Sequence, residues 1–382
     1  MVRMRKVVVI GAGAFGGWTA LHLLRAGVKV TLLDSWGPGN PRASSGGETR
    51  IIRGAYGPNQ PYTEMTARAM KHWRSHEKQW KRKFFHPTGV LFMAANGDDA
   101  WESGSREALE QAGIAHRALS LGEMKKQWPQ INFEGIDWGL FEPESGYLTA
   151  RAACQAVVEG FVGEGGQYLR APVQGEGLES GAKKGIALMD GSRVEADRYV
   201  FACGPWMGQL FPQTLGDKIR ATQQDVFFFG VPAGDTRFDE TQLPVWADHR
   251  GRFLYGIPGH GARAFKIADD TRGPKFDPTS GERVASPERA RLAQEYMEFR
   301  FPGMRGAPLI KGRVCQYEQT EDSHFVVDRH PADERIWLVG GGSGHGFKHG
   351  PALGEMVARL VLKDAEAEPC WTLARFSRKL GA

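Results

Sequence analysis

The chain has 382 residues, 41% of them hydrophobic, and its 49 Lys and Arg against 44 Asp and Glu leave a net charge of +5. That length exceeds one ordinary core and falls short of three, so two interlocked domains are expected. No run of about 18 apolar residues is present, and the N-terminal MVRMRK leads straight into a short apolar stretch broken by glycines; neither a membrane span nor a secretory signal is expected, and the default address is the cytoplasm.

In chain order, the first element is the β-branched run VVVI at residues 7–10, followed at once by GAGAFG and then by a helical pattern carrying Phe15, Leu21 and Leu24 before Gly27. A second apolar run, Val28 to Leu33, ends at Asp34, which completes a βαβ unit. Gly11 permits the sharp turn, Gly13 lets backbone approach a pyrophosphate, and Gly16 lets helix and strand pack closely. Phosphate oxygens then meet the free N–H groups and positive dipole of a helix start. Asp34 is placed to accept hydrogen bonds from ribose hydroxyls and disfavours a 2′-phosphate, so NADP is a poor candidate. This fingerprint alone does not separate FAD from NAD.

Residues 44–57, SSGGETRIIRGAYG, set Thr49, Arg50 and Arg53 behind a Ser/Gly stretch, ahead of a helix beginning near Pro61 with Met65, Ala69 and Trp73 on its apolar side. The densest basic run, KQWKRKFF around Lys81, Arg82 and Lys83, reads as a solvated helix end; no nucleic-acid motif accompanies it. The runs GVLFMA (89–94) and DVFFFGVP (225–232) read as strands. The Asp/Gly/Pro-rich segment 268–287 reads as an ordered loop near a pocket. Cys154, Cys203, Cys315 and Cys370 are widely spaced, with no paired cysteines and no His/Cys cluster at ligand spacing, so neither disulfides nor a metal are expected.

A strand at Ile336–Val339 enters a second glycine-rich loop, GGGSGHGFKHG, before a helical pattern resumes at Pro351, Leu353 and Met356. Nicotinamide sites do not need this late element, whereas a flavin ring needs partners for its pyrimidine oxygens. The loop carries Gly342, Gly344, His345 and Lys348.

Taken together, VVVIGAGAFG, GETRIIRGAYG, FEPESGYL (141–148), YVFACGPW (199–206), GRVCQY (312–317) and GGSGHGFKHG resemble the monomeric sarcosine oxidase and N-methyltryptophan oxidase family of amine-oxidising flavoproteins, along nearly the whole chain. The resemblance implies an α/β protein: a Rossmann-type FAD-binding domain assembled from residues 1–85, 141–216 and 311–382, and a smaller α+β substrate domain on a mixed sheet from 86–140 and 217–310. It implies FAD attached by a thioether at Cys315, with Thr49 and Arg50 near the isoalloxazine. It implies a substrate carboxylate clamped by Arg53 and Lys348, a pocket lined by Tyr255, Tyr317 and His345, and Lys266 as the ammonium that favours reaction with oxygen. A monomer acting on a small amine-bearing carboxylate with molecular oxygen is expected. Three positions depart from the family pattern, namely Trp246 for a methionine over the pocket, Asp270 for a histidine, and Gly46 for a histidine before the Thr/Arg loop. They put sarcosine itself in doubt. The competing readings are an oxidase of a cyclic imino acid or a primary amino acid, a flavin dehydrogenase with another acceptor, a nicotinamide-dependent enzyme, and a flavin-binding protein without turnover.

Overall fold

Residues 7–10 are apolar at every position because their strand is covered on both faces. In the computed structural model, which describes residues 6–58, 61–260 and 264–377, strand Lys6–Ile10 sends Val7 and Val9 toward three helices and Val8 and Ile10 toward residues 178–215. Residues 1–5 of MVRMRK and the first two of ARAFKIADD lie outside the described residues. Strand Lys6–Ile10 is central in a six-stranded sheet ordered Val326–His330, Asp333–Gly340, Arg198–Phe201, Lys6–Ile10, Lys29–Asp34 and Gln167–Arg170. All neighbours are parallel except the first pair. Helices Ala14–Arg25, Ala150–Gly163 and Gly350–Lys363 pack on the first face, around Trp18, Phe161 and Leu353.

The turn after Lys6–Ile10 works through close approach. Gly11 has φ +105°, and a Cβ there would lie 2.2 Å from the Ala202 carbonyl oxygen; a Cβ on Gly16 would lie 1.8 Å from that of Gly11. Neither obstacle is a flexible side chain. We expect Gly16→Ala to cost at least about 1–3 kcal/mol through overpacking, read as a lower denaturant midpoint at unchanged slope.

The second sheet has eight strands, ordered Leu309–Gln319, Arg220–Phe229, Phe265–Asp269, Leu254–Ile257, Val245–Asp248, Val90–Ala94, Trp138–Glu142 and Arg117–Ser120. It is mixed: Val245–Asp248 runs parallel to Val90–Ala94 and the other pairs are antiparallel. Residues 311–319, grouped by sequence with the nucleotide-binding stretches, pair here with Arg220–Phe229. That strand begins five residues before the apolar run read from sequence, because the polar stretch Arg220–Gln224 is held by its partner's backbone rather than by hydrophobic contacts.

Alternation decides what each face of this sheet carries. Lys266 is registered against Phe228 and Ile257, Tyr255 against Ala268, Cys315 against Gln224 and Tyr317 against Thr222, which puts Cys315, Tyr317, Lys266 and Tyr255 on one face. Trp246, opposite Gly256, points the other way, into a core with Phe265, Phe301 and Met297 below helix Pro287–Arg300. A third sheet, Arg50–Ile52, Gly146–Leu148 and Phe85–His86, joins the arginine segment to the rest. Helix Tyr62–Trp80 buries Met65, Ala69 and Trp73 as expected, and its end at Lys81–Lys83 is exposed. Among the described residues no helix is long and apolar enough to cross a membrane.

Candidate active site

A cavity of about 640 Å³ opens between the carboxyl ends of the parallel strands and the functional face of the second sheet. Gly11 and Gly13 from the first turn, Asp34 from the second strand, and Gly342 and Gly344 from the late loop all line it. Gly16 stands behind the wall, where its role is helix–strand packing. The Asp34 carboxylate accepts from the amides of Ala12 at 2.7 Å, Trp36 at 2.9 Å and Gly37 at 2.6 Å. Those bonds fix the turn, and a carboxylate with about four acceptor directions keeps one for a hydroxyl. Thr279, from the 268–287 loop, also lines the cavity and accepts from Trp206 Nε1 at 2.8 Å.

The donor chemistry of this wall fits a dinucleotide. Its volume lies within the span of ligand pockets, about 300–1,000 Å³. The buried hydroxyl of Ser44, on this wall, lacks any partner among the described residues, a costly arrangement unless a ligand supplies one; Thr49, whose hydroxyl is also unpartnered, lines neither this cavity nor the smaller one beside it. Gly344, at φ +80°, brings backbone so close to Tyr317 that a Cβ would lie 2.5 Å from its ring. The late helix starts one 3₁₀ turn later than the glycine run, since Phe347–His349 intervenes before Gly350. The cavity therefore meets the loop backbone and Phe347 rather than the helix end.

A second, smaller cavity of about 50 Å³ adjoins the first, sharing Arg50, Tyr317, Gly344 and Phe347. Arg53, Tyr255, Lys266, Tyr317, His345 and Lys348 all line it, so residues spread from 53 to 348 converge on one pocket. Asp270 lines it too, accepting from the Tyr317 hydroxyl at 2.7 Å. Burial raises the Asp270 carboxyl above its ordinary range. The other two departures fall elsewhere. Trp246 faces the opposite core, so it does not overhang the pocket. Gly46 does not line the pocket either, and a Cβ there would lie 1.8 Å from the Asn40 carbonyl oxygen, so the loop has no room for a larger residue.

Four cations gather here: among the described residues none of Arg50, Arg53, Lys266 and Lys348 has a carboxylate at ion-pair distance. Arg50 bonds the Thr49 carbonyl at 2.7 Å and the Ser44 carbonyl, with Cys315 Sγ 3.2 Å from its Nη2. Cys315 itself is not a wall residue; Arg50 and Ser44 beside it are. Lys266 Nζ donates to the Thr49 carbonyl at 3.2 Å, and burial followed by the Arg50 charge brings its pKa down to about 7. Lys348 Nζ donates to the His345 carbonyl at 3.0 Å; burial and then Arg53 hold it well below the usual lysine range. Arg53 donates to the Ala55 carbonyl and lies 4.5 Å from the Tyr56 ring centre and 5.3 Å from that of Trp101.

Several supports carry no signal strong enough to single them out from sequence. Glu142, fully buried, accepts from the amides of Gly54 at 2.8 Å and Ala55 at 2.9 Å and so sets the Arg53 turn. Its place in the FEPESGYL motif is the one available hint. Tyr56 bridges His345 Nδ1 at 3.0 Å and His349 Nε2 at 2.7 Å. With His345 Nε2 also 2.9 Å from the Ser323 carbonyl, both ring nitrogens are engaged and the imidazole is oriented, burial keeping it neutral. Trp73 Nε1 donates to the Lys348 carbonyl at 2.9 Å, tying the long helix to this loop. Glu318 lines the larger cavity, and burial lifts its carboxyl to about 7.

The family model described as DAO, FAD dependent oxidoreductase, matches residues 6–360. The chain is 31% identical over 360 residues to monomeric sarcosine oxidase of Bacillus sp. (strain B-0618), covering 93% of this chain and 92% of that protein. It is 28% identical over 379 residues to N-methyl-L-tryptophan oxidase of Yersinia pestis (strain Pestoides F), covering 97% and 99%. Among solved structures, L-proline dehydrogenase from P. horikoshii superposes with a TM-score of 0.85 at 21% identity over 99% of both chains, a likeness of fold. With its cavity, its glycine turns and this match over most of its length, the chain belongs to the DAO family of FAD-dependent oxidoreductases.

Proposed function

We propose that this enzyme oxidises a small secondary amine or amino acid of the N-methyl type, yielding an imine that water hydrolyses and reducing oxygen to hydrogen peroxide. The observation that carries the reading is the uncompensated positive charge of the small pocket, where Arg53 and Lys348 meet one carboxyl group already held by Tyr317. A substrate carboxylate supplies the missing negative charge, and its arrival favours the charged form of Lys348. Arg53 offers a planar fork and Lys348 a point charge, which together orient the α-carbon. The small volume favours a compact substrate.

Gly11, Gly13, Asp34, Gly342 and Gly344 would hold FAD along the larger cavity, and its chemistry there would be two-electron oxidation of the amine-bearing carbon coupled to reduction of oxygen. The protein's part is placement. Glu142, Tyr56 and the aromatic cage fix Arg53; the Trp73 and His345 contacts fix Lys348; Tyr255 and Tyr317 line the pocket beside them. Lys266 holds an ammonium near the functional face, where negative charge developing on oxygen is stabilised. This favours an oxidase over a dehydrogenase with another acceptor. A peroxide assay over N-methyl, cyclic and primary amino acids tests the reading. The expected result is turnover greatest with N-methyl amino acids, and preference for a proline-like or primary amine would move the substrate class.

Cys315 is the proposed point of thioether attachment, supported by its place on the functional face beside Arg50. Acid denaturation is expected to leave the flavin on the wild-type chain and to release it from Cys315→Ser. Complete release from the wild type would remove the covalent link from the proposal.

A further inference from the structure

Away from the cavities, three side chains that no sequence spacing connects point their ligand atoms at one another. His86 ends strand Phe85–His86, Glu240 follows the turn after Phe238, and His260 lies just beyond strand Leu254–Ile257. Glu240 Oε2 is 3.0 Å from His86 Nδ1 and Glu240 Oε1 is 2.7 Å from His260 Nδ1, and all three ligand atoms lie within 4.8 Å of one another.

We propose that His86, Glu240 and His260 form a binding site for a divalent transition ion of the zinc class. Two imidazoles and a carboxylate are the donor set such an ion takes, with bonds of about 2.0–2.2 Å that put neighbouring ligand atoms only a little over 3 Å apart. The present separations, within 4.8 Å, are brought to those of a bound ion by side-chain adjustment. The backbone is already fixed on each side. Glu240 N donates to the Gly259 carbonyl at 2.9 Å, and Gly259 N to that of Phe238 at 3.0 Å, which locks Glu240 beside His260. His86 is registered against Tyr147, whose ring stacks on the imidazole at 4.6 Å between centres.

An outer shell exists as well. The Tyr147 hydroxyl donates to Glu240 Oε2, the kind of support that orients a metal-binding carboxylate. His86 is nearly buried while Glu240 and His260 are about a quarter exposed, so water can complete the coordination from the solvent side. Hard cations such as magnesium prefer all-oxygen shells and are excluded by the two imidazoles. The ion would tie the strand next to the arginine segment, through Gly146–Leu148, to the loop after the long strand of the second sheet. Its role is structural, and it stands whether or not the proposed substrate class is correct.

The test uses tag-free holoenzyme, stripped with EDTA and dialysed against zinc chloride. We expect about one retained zinc per chain by elemental analysis, and a thermal midpoint raised by a few degrees because the ion binds only the folded chain. Magnesium chloride at the same concentration should leave the midpoint unchanged. His260→Ala and Glu240→Gln should each weaken zinc retention more than about tenfold while keeping the wild-type far-UV circular dichroism. Absence of stoichiometric zinc in the wild type, wild-type zinc retention by either folded variant, or an equal shift with magnesium would overturn the proposal. Since Glu240→Gln preserves shape and hydrogen-bonding capacity, its zinc retention decides between these outcomes should His260→Ala fail to fold.

Discussion

Lys266→Met is expected to leave reduction of the bound flavin by substrate within about threefold of wild type while slowing its reoxidation by oxygen at least a hundredfold, roughly 2.7 kcal/mol of barrier. The half-reactions separate because they need different charges. In the proposed reaction Arg53 and Lys348 hold the substrate, whereas Lys266 lies on the sheet face with its Nζ bonded to the Thr49 carbonyl. Electron transfer to oxygen creates negative charge, which a fixed ammonium stabilises most effectively where it is buried, as Lys266 is. Stopped-flow absorbance in each direction measures both rates, and equal losses in the two would rule out this role. The pH dependence follows from the same group. Its pKa is lowered to about 7, so the ammonium is present below that value and lost above it. Negative charge on the reduced cofactor moves the transition upward. Wild-type reoxidation should therefore slow as pH rises through a value at or above about 7, and the Lys266→Met profile should be flat across that window.

Arg53→Met is expected to lower kcat/KM about ten- to a hundredfold, chiefly through KM, since a bidentate charge-assisted contact contributes about 1.5–3 kcal/mol. Arg53→Lys keeps the charge and loses the fork, so it should recover only part of that loss. Stability offers an internal control. In the absence of substrate Arg53 is a half-buried cation with no carboxylate at ion-pair distance among the described residues, so removing it should leave the denaturant midpoint unchanged or higher. A midpoint that falls in step with activity would mean that Arg53 serves the fold.

The sequence exposes what depends on local chemistry. The first βαβ unit is legible because strand, turn, helix and acid each have a short-range signature, and their bounds in the structure differ by a residue or two. The late loop is legible in outline, although its 3₁₀ turn moves the helix start, since Gly-rich spacing does not tell one helical pitch from another. What depends on register is hidden. Trp246 looks like a pocket residue by position, yet strand alternation turns it into the opposite core, a one-residue parity that no local pattern fixes. Gly46 looks like a changed pocket residue, yet it is a backbone contact. Glu142 and Tyr56 support the arginine turn through bonds spanning 87 and 293 positions, and the His86, Glu240 and His260 cluster comes from three segments. Such partners emerge only once the sheets are assembled.

If the glycine cradle, the four cations and the functional sheet face serve one flavin and one small amine-bearing carboxylate, binding and chemistry must both show in the cofactor's own colour. The visible spectrum of the purified protein, followed during anaerobic titration with N-methylated amino acids, reads both at once. A yellow protein is expected, with a flavin band that bleaches on mixing and returns when air is admitted. A protein that stays colourless after FAD supplementation, or a flavin band indifferent to every amine offered, would refute amine oxidation at this site.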